Sequence, residues 1–206
     1  MKGIRGVIFD CDGVLFESRR ANLAYYNAIF EHLGEAPVRS ADREKAHLCH
    51  TAASPQVFET LLGPERRKDA LAFAAGLDYR TFIPYMTPEP GMVESLAALS
   101  RFLPLAVATN RGTSMPEILA HFDLTRFFRA VVTSRDVARP KPHPDMLHLA
   151  ARQLGLPESS LLFVGDSELD RDAAGEAGIC FAAYQGGVDG DVRIDHHQDL
   201  VRMLEG

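Results

Sequence analysis

Two carboxylates, Asp10 and Asp12, stand one residue apart at the end of an apolar run in the segment GVIFDCDGVLFES. Like charges this close at the edge of a buried strand cost free energy unless a cation or a reaction uses them. Polar residues follow other apolar runs in the same way. Thr109 and Asn110 close VATN, Lys141 stands between prolines beyond AVVTSRDVARP, and Asp166 and Asp170 occupy GDSELD. If the strand order sets the first, LAVAT and LLFVG runs side by side, these groups converge on a small volume. Two carboxylates about 4 Å apart repel by roughly 4 kcal/mol at an effective dielectric near 20, and one lysine does not offset several such pairs. Either some of the carboxyls hold protons or a hard divalent cation sits among them. All-oxygen ligation with room for waters suits Mg2+, the expected cofactor.

The elements that must position these residues alternate in type. IRGVIF at 4–9 reads as a strand, and Leu23, Tyr26, Phe30 and Leu33 recur at helical spacing before Gly34. Up to about Met86 the pattern holds no convincing strand. It holds helical pieces around 41–49, from Ser54–Pro55 to Gly63, and over PERRKDALAFAAG. The exit from this helical stretch, IPYMTPEPG, packs three prolines into seven residues and reads as a hinge. Beyond Gly91, helices at 91–100, 115–122, 144–154 and 169–177 alternate with the strands LAVAT, AVVT, LLFVG and ICFAA, and a short helix closes the chain near 197–204. Apolar strands alternating with amphipathic helices predict an α/β fold, a Rossmann-like parallel sheet covered by helices on both faces. Such sheets bind ligands at the carboxyl ends of their strands.

Composition narrows the function classes. The chain has 206 residues, 46% hydrophobic and 24% charged, enough for a sizeable core with a smaller inserted domain. Its formal charge of -6, with Lys and Arg scattered, argues against nucleic acid as a partner. No apolar run is long enough to span a membrane, and the N-terminus lacks the apolar core of a signal peptide, so a cytoplasmic protein, monomer or weak homodimer, is expected. Cys11, Cys49 and Cys180 are widely spaced and read as reduced thiols, Cys11 and Cys180 as small buried apolar residues. His196 and His197 read as the approach to the terminal helix rather than as a metal pair.

DCDGVLFES, VATN, KPHPD and GDSELD, in this order and at these separations, resemble the four motifs of the haloacid dehalogenase superfamily of phosphohydrolases. EPGMVESLAAL and ARPKPHPDML are similar to its phosphoglycolate phosphatase and β-phosphoglucomutase branch. The resemblance implies a catalytic core over 1–15 and 87–206 and an α-helical cap over 16–86. It implies that Asp10 attacks phosphorus and becomes an aspartyl-phosphate, and that Asp12 protonates the leaving oxygen and then deprotonates water. Because side chains alternate along an extended segment, the two acids are expected on one face with Cys11 on the other.

Thr109, Asn110 and Lys141 would contact the transferring phosphoryl group. Asp10, Asp166, Asp170 and the backbone carbonyl of Asp12 would hold Mg2+. The corresponding cap region of the branch contacts the substrate's organic part, which makes Lys45, His47, His50 and Thr51 candidates, although the glycine usual near His47 or His50 is missing. The implied substrate is a small phosphorylated, phosphoglycolate-like metabolite. A phosphomutase carries the same motifs, and a non-catalytic binding protein on this scaffold would be free to lose one of them.

Overall fold

The structure, a computed structural model, describes Met1 and residues 3–205. In chain order the first elements are β1 (Gly6–Phe9), β2 (Phe16–Glu17), α1 (Arg19–His32), α2 (Arg43–Thr51), α3 (Ser54–Leu62), α4 (Arg67–Ala75) and β3 (Thr87–Pro88). There follow α5 (Met92–Leu99), β4 (Leu105–Thr109), α6 (Met115–His121), β5 (Phe128–Thr133), α7 (Asp145–Leu154), β6 (Leu161–Gly165), α8 (Glu168–Ala177), β7 (Cys180–Tyr184), β8 (Val192–Ile194) and α9 (His197–Glu205).

The main sheet is six-stranded in the order β5-β4-β1-β6-β7-β8, and its pairings are parallel. This is the predicted α/β fold, with β1 at the centre between β4 and β6, as the convergence of polar strand ends requires. Period-two alternation divides the strands between two cores. Val7, Phe9, Leu105, Val107, Leu162 and Val164 face one side, which α5, α6 and α9 cover with Met92, Leu96, Ile118 and Leu200. Ile8, Ala106, Ala108, Leu161 and Phe163 face the other, which α7 and α8 cover. Helices α1 to α4 enclose a third apolar cluster of their own, built on Tyr26, Ile29, Phe30, Val57 and Phe58.

Three details differ from expectation. The helical stretch begins with strand β2, which pairs antiparallel with β3 through Phe16↔Pro88 and Glu17↔Thr87. The proline-rich exit is therefore strapped to the entry, and Glu89 N–H donates to the Leu15 carbonyl at 3.0 Å. Pro88 is tolerated because an edge position does not require its missing N–H. Strand β8 lies in VRI, which the sequence presents as the approach to α9. Cys11 is fully buried beside Phe9, whereas Cys180 at the start of β7 is only half-buried.

Candidate active site

Strand β1 ends at Phe9, and the chain turns at once. Leu15 and Phe16 N–H both donate to the Cys11 carbonyl, and Gly13 N–H donates to that of Phe16. Gly13 has φ +76, and a Cβ there would lie 2.0 Å from Asp166 Oδ2, so the turn needs glycine for both its backbone and its neighbour. His197, buried at the start of α9, donates Nε2–H to the Val14 carbonyl at 2.7 Å and so supports the turn from behind.

Asp10 projects from the end of β1 toward Lys141. The ammonium lies 2.8 Å from Asp10 Oδ1 and 2.5 Å from Asp170 Oδ1, and the lysine is 2% exposed. The first contact is an ion pair off the line of a hydrogen bond, which leaves Asp10 Oδ1 buried without a donor. Asp170 caps α8: its Oδ2 accepts from Ser167 Oγ at 2.6 Å and from Ser167 N–H at 3.2 Å. Burial pushes the Asp10 carboxyl up to about 7 against the pull of Lys141, with the charges of Asp170 and Asp12 adding to the rise. Burial, then Asp170 and Asp10, drives Asp166 well above the carboxylate range.

Asp10, Asp166 and Asp170 each offer an oxygen within 4.8 Å of one another. Three carboxylates around one ammonium and an unsatisfied buried oxygen fit a hard divalent cation by donor type and charge. The Asp12 carboxylate does not join them. Its Oδ1 accepts from Arg111 Nη2 at 2.6 Å, from Asn22 Nδ2 at 3.1 Å and from Ser18 Oγ. Cys11 joins Val7 and Phe9 in one apolar cluster, while the two acids meet different partners. Burial alone would raise Asp12, but the Arg111 guanidinium, helped by His50 and Ser18, outweighs it and holds the carboxyl below its ordinary value.

Arg111 and Asn22 escape the sequence reading. Arg111 looks like a loop arginine after VATN, yet it is buried. It donates to Asp12, to Asn22 Oδ1 at 2.8 Å and to the Tyr79 hydroxyl, with its guanidinium 5.0 Å over the Tyr79 ring. Asn22 carried a signal: it stands four residues before Tyr26 on the buried stripe of α1, a polar residue where an apolar one belongs. Because Asn22 Oδ1 is taken by Arg111, its Nδ2 must donate to His50 Nδ1, 3.2 Å away. Burial lowers the His50 pKa, so the neutral ring carries its proton on Nε2.

The remaining predicted residues separate into different places. Thr109 is fully buried at the end of β4, its Oγ1 accepting from Arg111 N–H at 3.2 Å. Asn110 spends its amide on the protein: Nδ2 donates to the carbonyls of Thr51 and Lys141, and Oδ1 accepts from Lys141 N–H at 3.0 Å. It holds the Lys141 loop and ties it to α2. His47 is exposed and pairs with Glu168 at 2.7 Å, and Lys45 is exposed. A cavity of about 940 Å³ lies between helices α1 to α4 and the sheet rim, walled by Asp12, Asn22, His50, Asn110, Arg111 and Lys141, among others; His47 and Lys45 are not in its wall.

Comparison with known proteins agrees with this architecture. Residues 7–184 match the family model of haloacid dehalogenase-like hydrolases. Phosphoglycolate phosphatase of Shigella boydii is 30% identical over 203 residues, covering 85% of this chain and 79% of that protein. A haloacid dehalogenase-superfamily hydrolase of subfamily IA from Geobacter sulfurreducens superposes with a TM-score of 0.85 at 37% identity, covering 98% of this chain and 100% of that one. CbbY of Rhodobacter sphaeroides, solved with phosphate, shares the fold at a TM-score of 0.81 and 23% identity over 96% of each chain.

Proposed function

Because the chain belongs to the haloacid dehalogenase-like hydrolase family, we propose that it is a Mg2+-dependent phosphatase of small phosphorylated metabolites, working through an aspartyl-phosphate. The observation that carries this reading is the split of the two acids: Asp10 with Lys141, Asp166 and Asp170 on one side, Asp12 with Arg111 and Asn22 on the other. The catalytic core corresponds to 1–15 and 87–206 and the cap to 16–86, a division supported by the separate apolar cluster of α1 to α4. Three cysteines without a disulfide support a cytoplasmic setting.

Asp10 is the nucleophile. Its oxygen attacks phosphorus while Asp12, which takes up a proton as the anionic substrate enters beside it, gives that proton to the departing ester oxygen. Asp12 then takes a proton from the water that hydrolyses the aspartyl-phosphate, restoring Asp10. Lys141 offsets charge on Asp10 and on the phosphoryl oxygens, and the Thr109 hydroxyl and nearby backbone hydrogen-bond those oxygens. The carboxylates of Asp10, Asp166 and Asp170 and the Asp12 carbonyl would hold Mg2+, which supplies positive charge to screen nucleophile from phosphate. Among small phosphorylated metabolites, the relatives' name makes 2-phosphoglycolate the reference compound.

The test follows free phosphate released from 2-phosphoglycolate and an aryl phosphate. Turnover that needs Mg2+, stops on chelation and is abolished in Asp10→Asn supports the reading. Activity surviving in Asp10→Asn refutes the mechanism, and isomerised sugar phosphate without net phosphate release would make the protein a mutase.

A further inference from the structure

We infer that the leaving group released here is of nucleoside size, hydroxyl-bearing beside the ester and carrying a flat apolar ring beyond it; this rests on the phosphatase reading above. The cavity measures about 940 Å³ although the cap is already docked on the core. Asn22 bonds Arg111 and Asp12, Asn110 bonds the Thr51 carbonyl, Arg111 bonds Tyr79, and His47 pairs with Glu168. The volume therefore belongs to the docked state.

At about 30 Å³ of liquid volume per water, the space holds on the order of thirty waters, and a two-carbon acid would leave most of them in place. Sites that catalyse charge transfer exclude water and draw on contacts remote from the reacting bond, and a small leaving group would do neither here. The wall also changes character. The part bonded to Asp12 is polar and buried, with His50, Arg111 and Ser114. Thr113, Ser114 and Ser134 add hydroxyls to this wall, and the hydroxyls of a pentose would pair with them. The roof from α1, α4 and the turn after α4 is largely apolar, with Tyr25, Leu71, Ala74 and Leu77. A pentose against the polar part and a base under the roof match this sequence of surfaces; a two-carbon acid matches only the first.

The experiment measures kcat/KM of the full chain with Mg2+ on uridine and adenosine 5′-monophosphates, ribose 5-phosphate and 2-phosphoglycolate. A nucleotide is expected to exceed both smaller esters by about tenfold or more. Ala74→Phe and Ala75→Phe, which fill the roof, are expected to reduce the nucleotide-to-ribose-phosphate ratio by about fivefold or more through KM. Melting curves identify a variant that fails to fold, and the ranking of the four esters by the wild type then decides alone. If 2-phosphoglycolate or ribose 5-phosphate is the best substrate, or if folded filling variants leave the ratio unchanged, the inference is overturned while the phosphatase reading stands. If none of the esters is hydrolysed, both are overturned.

Discussion

Replacing Arg111 with Met removes the cation that holds Asp12 in a buried ion pair, the two side chains being 6% and 10% exposed. The variant keeps length and apolar bulk but strands the Asp12 charge, Asn22 Oδ1 and the Tyr79 hydroxyl. Breaking one partner of a buried pair costs about 3–5 kcal/mol. For a chain of this size that is a Tm lower by roughly 6–20 °C. The pH dependence has a definite sign. In the wild type the Asp12 pKa lies below the ordinary 3.8, so its stabilisation is present above that value and is lost as pH falls through the folded one. In the variant Asp12 is buried without its cation, and its pKa moves up. The stability gap is therefore full at neutral pH, narrows once pH drops below the variant's raised value, and is smallest once pH has also fallen through the lowered value of the wild type. Turnover is expected to fall by about 10²–10⁴, the share that general acid–base catalysis supplies. Urea unfolding at a series of pH values, with kcat at pH 7, measures both. An Arg111→Met protein within about 1 kcal/mol of wild type at pH 7 would refute the claim that Arg111 and Asp12 form one buried unit.

Other outcomes follow from single contacts. Gly13→Ala places a Cβ against the Asp166 carboxyl at positive φ, and is expected to abolish phosphate release while costing about 1–3 kcal/mol by denaturation. His197→Leu leaves the buried Val14 carbonyl without its donor and is expected to cost about 1–3 kcal/mol, with kcat falling more than KM rises, checked by thermal melts and steady-state kinetics. His47→Ala removes an exposed pair outside the cavity wall and is expected to change kcat/KM by less than about fivefold, whereas substitution of a substrate contact would change it more.

Much of the candidate site was legible in the sequence because strand ends announce themselves. Asp10, Thr109 and Asp166 each follow a run of buried residues, and a parallel sheet gathers such ends at one rim. The unread parts share one physical cause, which is that nothing local specifies them. Arg111 and Asp12 are 99 residues apart, and only the pairing of β1 with β4, which sets the two strand ends side by side, makes them partners. Strand β2 has two residues and β8 three, too few for periodicity to register. His47 and His50 look alike in sequence; the helical turn between them sends one to solvent beside Glu168 and the other into the cavity wall.

The pairing of β2 with β3 means that the polypeptide leaves the core and returns to it through a single ribbon, with Phe16 opposite Pro88. An insertion whose two ends are already joined needs only that junction to leave the strands of the host unbroken. The helical unit is thus an exchangeable cassette: a segment of different length or composition spliced at 16 and 88 would leave the sheet in place, provided it again supplied partners for Asp12, Arg111 and Asn110 at the rim. On this view the scaffold keeps its chemistry and its choice of molecule on separately replaceable parts, and exchange of the cassette is a route by which one core could acquire a new clientele.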